Sequence, residues 1–418
     1  MDSKINILLD KREYESFTLP NGIRIIHKFD SSPVVYCGLI INTGSRDELP
    51  HEHGIAHFIE HAIFKGTSKR NAYQINSCMD DVGGDINAYT TKEETCIYAI
   101  FLDHYFAKGI ELISDIVFHS TFPKKELEKE KSVIFDEINS YKDSPSELIF
   151  DDFEELIFPN HPIGKNILGN PALMKKFSSK DIIQFMNRNY STHEMVFSSV
   201  GNISFSKVKQ LALKFFGQIP ESIRQFTRIA PTNYIPTQQE LKKKTFQTHC
   251  IIGCTAYSFK NEKNRVGLTL LNNILAGPSL NSRLSLSLRE KHGYAYNIES
   301  GFTAFTDTGI ESIYFGTDKK YFDKCLGLID KELRILKTKK LGVIQLSKAK
   351  KQLTGQIAIA SENKESLMMS FGKSYLHFNK VDSLQEIYHK IEAVTSDQLI
   401  EIANEIFDAK SFSKLVYH

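Results

Sequence analysis

The sequence has no long hydrophobic run and little excess charge of either sign. No stretch approaches the roughly 20 apolar residues that a membrane-spanning helix needs. The first twelve residues, MDSKINILLDKR, lack the long apolar run and the cleavage site of a secretory signal peptide. Because 52 Lys and Arg residues stand against 50 Asp and Glu residues, the net charge of +2 gives no electrostatic reason to expect nucleic acid or a membrane surface as a partner.

Cysteine is also scarce and scattered. Six cysteines in 418 residues suit a reducing compartment better than a disulfide scaffold. Cys250 and Cys254 lie close together in a predicted strand, but no second pair completes a metal site, so we expect both to pack in the core. Together with the missing signal peptide, this pattern predicts a cytoplasmic globular protein.

The chain is too long for one ordinary hydrophobic core, so at least two domains are expected. The most proline-rich stretch, residues 217–238, shows little apolar periodicity, which indicates a linker. We therefore predict three parts: a first domain at 1–216, a linker at 217–242 and a second domain at 243–418.

Both halves show the same order of signals, namely strands, helices, strands and further helices. In the second half the predicted helices include residues 262–276 and 280–291. An internal repeat of this kind predicts an α+β fold of two similar domains, each a mostly antiparallel mixed sheet with helices packed on one face. Only the first half carries the unusual polar residues described next. Residues that are needed only for folding should occur in both halves. Because these polar residues are missing from the second half, we expect them to have a chemical function in the first.

The segment His57-Phe-Ile-Glu60-His61 lies in a predicted amphipathic helix. At about 100° per residue, its three polar side chains fall opposite the apolar stripe. Two imidazoles one turn apart can bind a common ion, which is the spacing that a zinc site on a helix needs. Glu60 is placed to act as general base on a water at that ion. A solvated polar helix face is the competing interpretation.

A catalytic zinc ion takes three protein ligands and keeps one position open, so two histidines leave the site incomplete. The charged helix at 126–138 offers Glu130 and Glu137, which are seven residues apart and differ by only about 20° around the helix axis. One carboxylate can bind the metal while the other orients a ligand histidine. Taken alone, this helix would be interpreted as an ordinary charged surface.

The stretch GIAHFIEHAIFKGT at 54–67 resembles the signature of the pitrilysin-like zinc peptidases with an inverted motif. This family includes insulin-degrading enzyme and the subunits of mitochondrial processing peptidase. Its third zinc ligand is a glutamate about 76 residues after the second histidine, which is the spacing of Glu137 from His61. The resemblance implies one zinc ion per chain, held by three ligands: His57, His61 and Glu137. It also implies Glu60 as the base and Glu130 as the partner of a ligand histidine.

Two further segments resemble the family. Residues 83–98 are similar to an edge strand beside the zinc, on which substrate lies as an added strand. This implies peptide contacts from four residues: Asn87, Ala88, Tyr89 and Thr90. The stretch LREKHGYAY at 288–296 looks like the second-half motif, which implies that Arg289 and Tyr296 face the zinc from the opposite wall and stabilise the oxyanion.

The resemblance covers essentially the whole chain and implies a zinc endopeptidase that cleaves peptides or unfolded segments. The chain resembles the short two-domain members, such as the β subunit of mitochondrial processing peptidase and its bacterial homologues, whereas single-chain members carry four domains. We therefore expect a homodimer that encloses a chamber, with a heterodimer as the alternative. Two other functions stay open at this point: a non-catalytic partner subunit, and metal storage or transfer by the histidine-rich segment 51–61.

Overall fold

The protein consists of two similar halves, each built on one β-sheet. The computed structural model describes residues 13–418. The strands of the first half are β1 (Glu15–Thr18), β2 (Arg24–Phe29), β3 (Val34–Ile41), β4 (Asp85–Thr90), β5 (Thr95–Leu102) and β6 (Met195–Gly201). Its helices are α1 (Ile55–Ala62), α2 (Ala72–Asp80), α3 (Phe106–Phe118), α4 (Lys124–Lys142), α5 (Pro145–Ile157), α6 (Pro171–Met174), α7 (Ser179–Asn189) and α8 (Phe205–Phe215).

The second half repeats this sequence of elements. Its strands are β7 (Gln238–Leu241), β8 (Thr248–Thr255), β9 (Ala295–Ala304), β10 (Gly309–Thr317) and β11 (Ser413–Tyr417). Its helices are α9 (Glu262–Ala276), α10 (Phe322–Thr338), α11 (Val343–Ala360), α12 (Lys364–Phe378), α13 (Leu384–Ala393) and α14 (Ser396–Ile406).

The two sheets share one strand order. Within residues 13–418, the first sheet runs β1-β2-β6-β3-β5-β4 and the second runs β7-β11-β8-β10-β9. Each contains one parallel pair, β2 with β6 and β7 with β11, among antiparallel neighbours. Apart from β1, the orders correspond strand for strand. This confirms the predicted α+β fold of two similar domains with mixed, mostly antiparallel sheets.

Each sheet packs against helices of its own half on one face and receives a helix from the other half on its second face. On the first sheet, Ile26 and Ile40 pack against Phe371 and Tyr375 of α12. On the second sheet, buried strand residues pack against α5; they include Ile251, Tyr314 and Leu415. Helices α5 and α12 directly follow the equivalent helices α4 and α11. Each half therefore contributes an equivalent helix to the sheet of the other half. The sequence patterns did not predict this exchange.

Two local predictions need correction. The helix predicted at 280–291 is shorter than expected: it covers residues 283–290, and all but its first two residues form a π-helical segment, Ser285–Glu290. Strand β7 begins at Gln238, inside the predicted linker 217–242, and pairs in parallel with β11. The end of that stretch is thus part of the second sheet, whereas residues 217–237 form no helix or strand. The domain boundaries themselves stay a prediction.

All six cysteines of the sequence lie in the described part of the chain and are free and buried. The prediction that Cys250 and Cys254 pack in the core is therefore confirmed. Among the helices of residues 13–418, none combines the length and the apolar character that crossing a membrane requires.

The core of the second half contains a buried acid, Glu311 on β10. Its side chain is fully buried and accepts hydrogen bonds from Asn272 Nδ2 at 2.8 Å and Ser300 Oγ at 3.3 Å. Burial raises the pKa of Glu311 from 4.5 to about 8, although the two hydrogen bonds lower it. The folded protein therefore keeps a proton on Glu311 at pH values where the unfolded chain has lost it.

This proton makes stability depend on pH. Between pH 4.5 and about 8 the folded state binds one more proton than the unfolded state at Glu311, so stability falls as pH rises, by at most about 1.4 kcal/mol per pH unit. We expect Glu311→Gln, which has no proton to lose, to flatten this dependence and to be more stable than wild type at pH 8. Urea unfolding at pH 5.5, 7 and 8 measures both slopes. Equal slopes in the two proteins would contradict this prediction.

Candidate metal centre

Helix α1 is held at its start by Gly54 and Glu48. Gly54 has a φ of +99°, and a Cβ there would come within 2.7 Å of the Cα of Gly169, so only glycine fits. The Glu48 carboxylate accepts hydrogen bonds from the backbone N–H groups of Gly54 and Ala56, both at 2.9 Å. These are donors that have no partner within the helix. Sequence reasoning did not identify Glu48, because it lies six residues before Gly54 and not at a usual capping position.

The apolar stripe of α1 fixes the rotation of the helix about its axis. Ile55, Phe58, Ile59 and Ala62 are fully buried in the core of the first half. Their burial directs the polar face toward α4, which packs beside α1. The amphipathic pattern therefore decides which side chains reach the neighbouring helix.

Three predicted ligands converge between α1 and α4. Glu137 Oε2 lies 3.7 Å from His57 Nε2 and 3.5 Å from His61 Nε2. One donor atom of each residue lies within 4.8 Å of the other two. In a tetrahedral zinc site with bonds of about 2.0–2.1 Å, two donor atoms stand about 3.4 Å apart. The donor set and its spacing therefore fit a zinc ion.

The protonation of His57 also fits a metal ligand. Burial and the neighbouring His61 lower the pKa of His57 to about 4. The imidazole is therefore neutral near pH 7, which is the form that binds metal. Its Nδ1 atom is buried and has no hydrogen-bond partner among the described residues. The ring nitrogen that faces Glu137 is Nε2, so Nε2 is the atom placed to bind a metal.

Glu130 contacts the outer ring nitrogen of His61. Its Oε2 atom lies 3.4 Å from His61 Nδ1, and Lys65 Nζ lies 2.9 Å from its Oε1. Burial would raise the pKa of Glu130, but the hydrogen bonds from His61 and Lys65 lower it below its ordinary value. A proton on Nδ1, shared with this carboxylate, leaves Nε2 of His61 free to bind metal.

Glu60 lies on the same face of α1 but is not one of the three clustered donors. Burial raises the pKa of Glu60 above its ordinary value, Thr90 and His61 lower it, and Glu137 raises it further. A carboxylate next to the cluster, with a raised pKa and not used as a ligand, has the properties of a general base.

Strand β4 forms an open edge next to α1. Within the described residues it pairs with β5 alone, so its other side presents backbone N–H and C=O groups to an added strand. The four predicted substrate residues lie in its last part: Asn87, Ala88, Tyr89 and Thr90.

Arg289 and Tyr296 make no direct polar contact with the cluster within the described residues. Arg289 belongs to the segment Ser285–Glu290 and lies 3.5 Å from Glu290. Tyr296 is 71% exposed and lines an open cleft of about 610 Å³ with Tyr141 and Glu147. Across residues 13–418, no hydrogen bond or ion pair connects either side chain to the three clustered donors. Their role at the zinc from a partner chain stays a prediction.

Two family models match the two halves in turn. The insulinase model, peptidase family M16, matches residues 24–171, which contain the cluster. The model of the peptidase M16 inactive domain matches residues 176–353. In the described part of the chain, the second half holds no comparable group of metal-binding side chains.

Similar proteins cover almost the whole chain. An uncharacterized zinc protease of Bacillus subtilis, YmxG, is 34% identical over 94% of this chain and 95% of its own length. An uncharacterized zinc protease of Rickettsia felis is 32% identical over 97% of this chain and 98% of its own. The crystal structure of a protease from Helicobacter pylori shares the fold, with a TM-score of 0.88 at 20% identity over 98% of this chain and 100% of its own. From the paired models and these relatives, the chain belongs to the insulinase family, peptidase family M16.

Proposed function

We propose that this protein is a zinc-dependent endopeptidase that cleaves peptides or unfolded segments. The observation that carries the proposal is the convergence of His57, His61 and Glu137, with the unliganded Glu60 beside them. The relatives' description as zinc proteases supports the same activity. Because all three donors and the base are present, a purely non-catalytic partner subunit fits the chain less well.

Zinc, when bound by these three residues, would supply Lewis-acid polarisation of a peptide carbonyl and a lowered pKa for the attacking water. Glu60 accepts the proton of that water and passes it to the amine of the leaving peptide. Glu130 holds His61 in the orientation and tautomer that metal binding requires.

The substrate binds in extended form along the open side of β4. Main-chain hydrogen bonds to this edge recognise any extended peptide, and side-chain contacts from the neighbouring surface add modest selectivity. A folded protein keeps most of its extended segments paired within its own sheets, so we propose peptides and unfolded segments as substrates.

A second copy of the chain completes the site. Arg289 and Tyr296 are exposed and lie outside the cluster of their own chain, so a partner chain in a homodimer would bring them to the zinc. There the guanidinium and the phenol stabilise the oxyanion as water attacks. The six free cysteines support a reducing compartment, and the cytoplasm is our proposal for its location.

The metal centre is tested by substitution of a ligand. We expect wild-type protein to bind one zinc ion per chain, and Glu137→Gln or His61→Ala to lose it, because two ligands hold zinc poorly. Metal analysis after dialysis against a weak chelator measures this. His53→Ala is the matched control: His53 also lies near α1, but its Nε2 contacts the backbone oxygen of Asn166 at 3.0 Å. Loss of zinc from the control variant alone would refute this ligand set.

The base is tested by Glu60→Gln. Removal of the carboxylate charge leaves the three ligands in place, so we expect zinc content to stay at wild-type level. Hydrolysis of a quenched fluorescent peptide should fall by about 10²–10⁴-fold. Glu128→Gln, whose side chain is exposed on the surface of α4, serves as the control and should cleave normally. A zinc-loaded Glu60→Gln protein that still cleaved at the wild-type rate would remove Glu60 from this role.

The shared site is tested by subunit exchange. Glu60→Gln and Arg289→Ala are each expected to be inactive as pure dimers. In an equal mixture, half of the dimers are hybrids with one intact site, so about a quarter of wild-type activity should return. Mass spectrometry of the intact dimers verifies the exchange. Complete exchange without recovered activity would mean that Arg289 does not act across the dimer.

A further inference from the structure

The turn that joins β4 to β5 carries three consecutive charged residues, and all of them are buried. Lys92, Glu93 and Glu94 are 6%, 4% and 7% exposed. Hairpin turns are normally exposed and rich in glycine, asparagine and aspartate. Charged side chains are rarely buried unless they have partners. The burial of this turn therefore indicates contacts beyond its own hairpin.

Glu93 connects the turn to the second half of the molecule. Its Oε1 atom accepts hydrogen bonds from Arg46 Nη1 and Thr306 Oγ1, both at 2.6 Å, and its Oε2 accepts one from the Thr306 N–H at 2.9 Å. Thr306 lies in the connection between β9 and β10. Arg46 in turn pairs with Asp307 at 2.6 Å and donates to the backbone oxygen of Ile229 at 2.7 Å. One carboxylate thus joins the substrate hairpin, the loop before α1 and the second sheet.

The two neighbouring charges reach the exchanged helices. Lys92 Nζ lies 2.8 Å from Glu154 Oε2 on α5. Glu94 is paired with His377 at 2.6 Å and with Lys373 at 2.9 Å, both on α12. Helix α5 packs on the second sheet and α12 on the first. The three charges therefore contact three different elements that connect the halves.

The same turn also contacts the loop that leads to helix α1. Its backbone oxygens accept hydrogen bonds from the loop before α1: Ser45 N–H to Thr91 O at 3.1 Å, and Arg46 N–H to Lys92 O at 2.8 Å. That loop continues to Glu48, whose carboxylate caps α1. A shift of the second half relative to the first would therefore move both β4 and α1.

Stability alone does not account for this arrangement. Taking charges out of water is costly, and well-packed apolar side chains of similar volume usually stabilise a fold as well as a buried ion pair does. Unlike apolar side chains, a buried ion pair requires one particular geometry, because any other arrangement leaves a buried charge without its partner. At a junction between two halves, that requirement fixes their relative orientation.

We propose that Lys92, Glu93 and Glu94 are positioning residues, which align the substrate edge β4 and helix α1 by holding them in a fixed orientation to the second half. The proposal rests on the peptidase function proposed above. It assigns these residues no contact with the metal or the reacting atoms.

The test is Glu93→Gln, which keeps the size of the side chain but removes the charge that pairs with Arg46. We expect KM for a quenched fluorescent peptide to rise between about twofold and thirtyfold, with kcat changed less and zinc content at wild-type level. Asp115→Asn is the matched control. Asp115 is 1% exposed and pairs with Arg70 at 2.6 Å inside the first half, so this variant should lose stability without a change in KM.

A second readout does not depend on activity. Spin labels at Lys129→Cys on α4 and Arg334→Cys on α10 report the distance between the halves, because the six native cysteines are buried. Pulsed electron paramagnetic resonance should show a broader distance distribution in Glu93→Gln than in wild type or Asp115→Asn. Asp307→Asn, which removes the other carboxylate on Arg46, should give the same result and serves as the second variant if Glu93→Gln does not fold. The two substitutions combined should have less than additive effects.

The outcomes separate the two proposals. If zinc-loaded wild-type protein cleaves no peptide, the proposed function fails, and the distance distributions alone decide whether these charges fix the orientation of the halves. If wild type cleaves but the Glu93→Gln and Asp307→Asn variants keep the wild-type KM and distance distribution, the positioning role is wrong even if both variants are less stable.

Discussion

The packing of α1 against α4 is the constraint on which the candidate site depends. The two helices contribute His57 and His61 on one side and Glu137 on the other. Neither helix carries a complete ligand set. The core determines how they meet: the buried stripe of α1 fixes its rotation, and Ile134 and Ile138 of α4 are buried in the same core. Hydrophobic packing thus brings the polar faces of the two helices together, and with them the three donors of the candidate metal centre.

The internal repeat shows how one scaffold supports two roles. In the second half, α9 carries leucines and Asn272 where α1 carries its polar face. Asn272 donates a hydrogen bond to the buried Glu311, so this half keeps a polar group in its core but no cluster of donors within the described residues. The comparison supports the interpretation that the residues peculiar to the first half serve chemistry, while the strand order serves the fold.

The exchange of α5 and α12 makes the halves interdependent. Each sheet would otherwise expose its second apolar face to water, which costs free energy in proportion to the apolar area exposed. Because each helix closes the sheet of the other half, the orientation of the halves is coupled to both cores. The charged turn 91–94 contacts both exchanged helices. It therefore connects the substrate edge β4 to the helices that join the two halves.

The sequence by itself determined the elements and the ligand spacing. Helix α9 occupies the range expected from periodicity, residues 262–276, and the four-residue spacing of His57 and His61 places both on one helix face. Both features depend only on local backbone geometry. The helix expected at 280–291 is present over residues 283–290, but most of it is π-helical, which the apolar spacing did not indicate. Only the tertiary structure decided that Glu137 meets the histidines, that Glu48 caps α1 and that the charges of turn 91–94 are buried. These features depend on partners far along the chain. From sequence alone, a charged residue is expected to be exposed, because the partner that would allow its burial can be identified only in the folded structure.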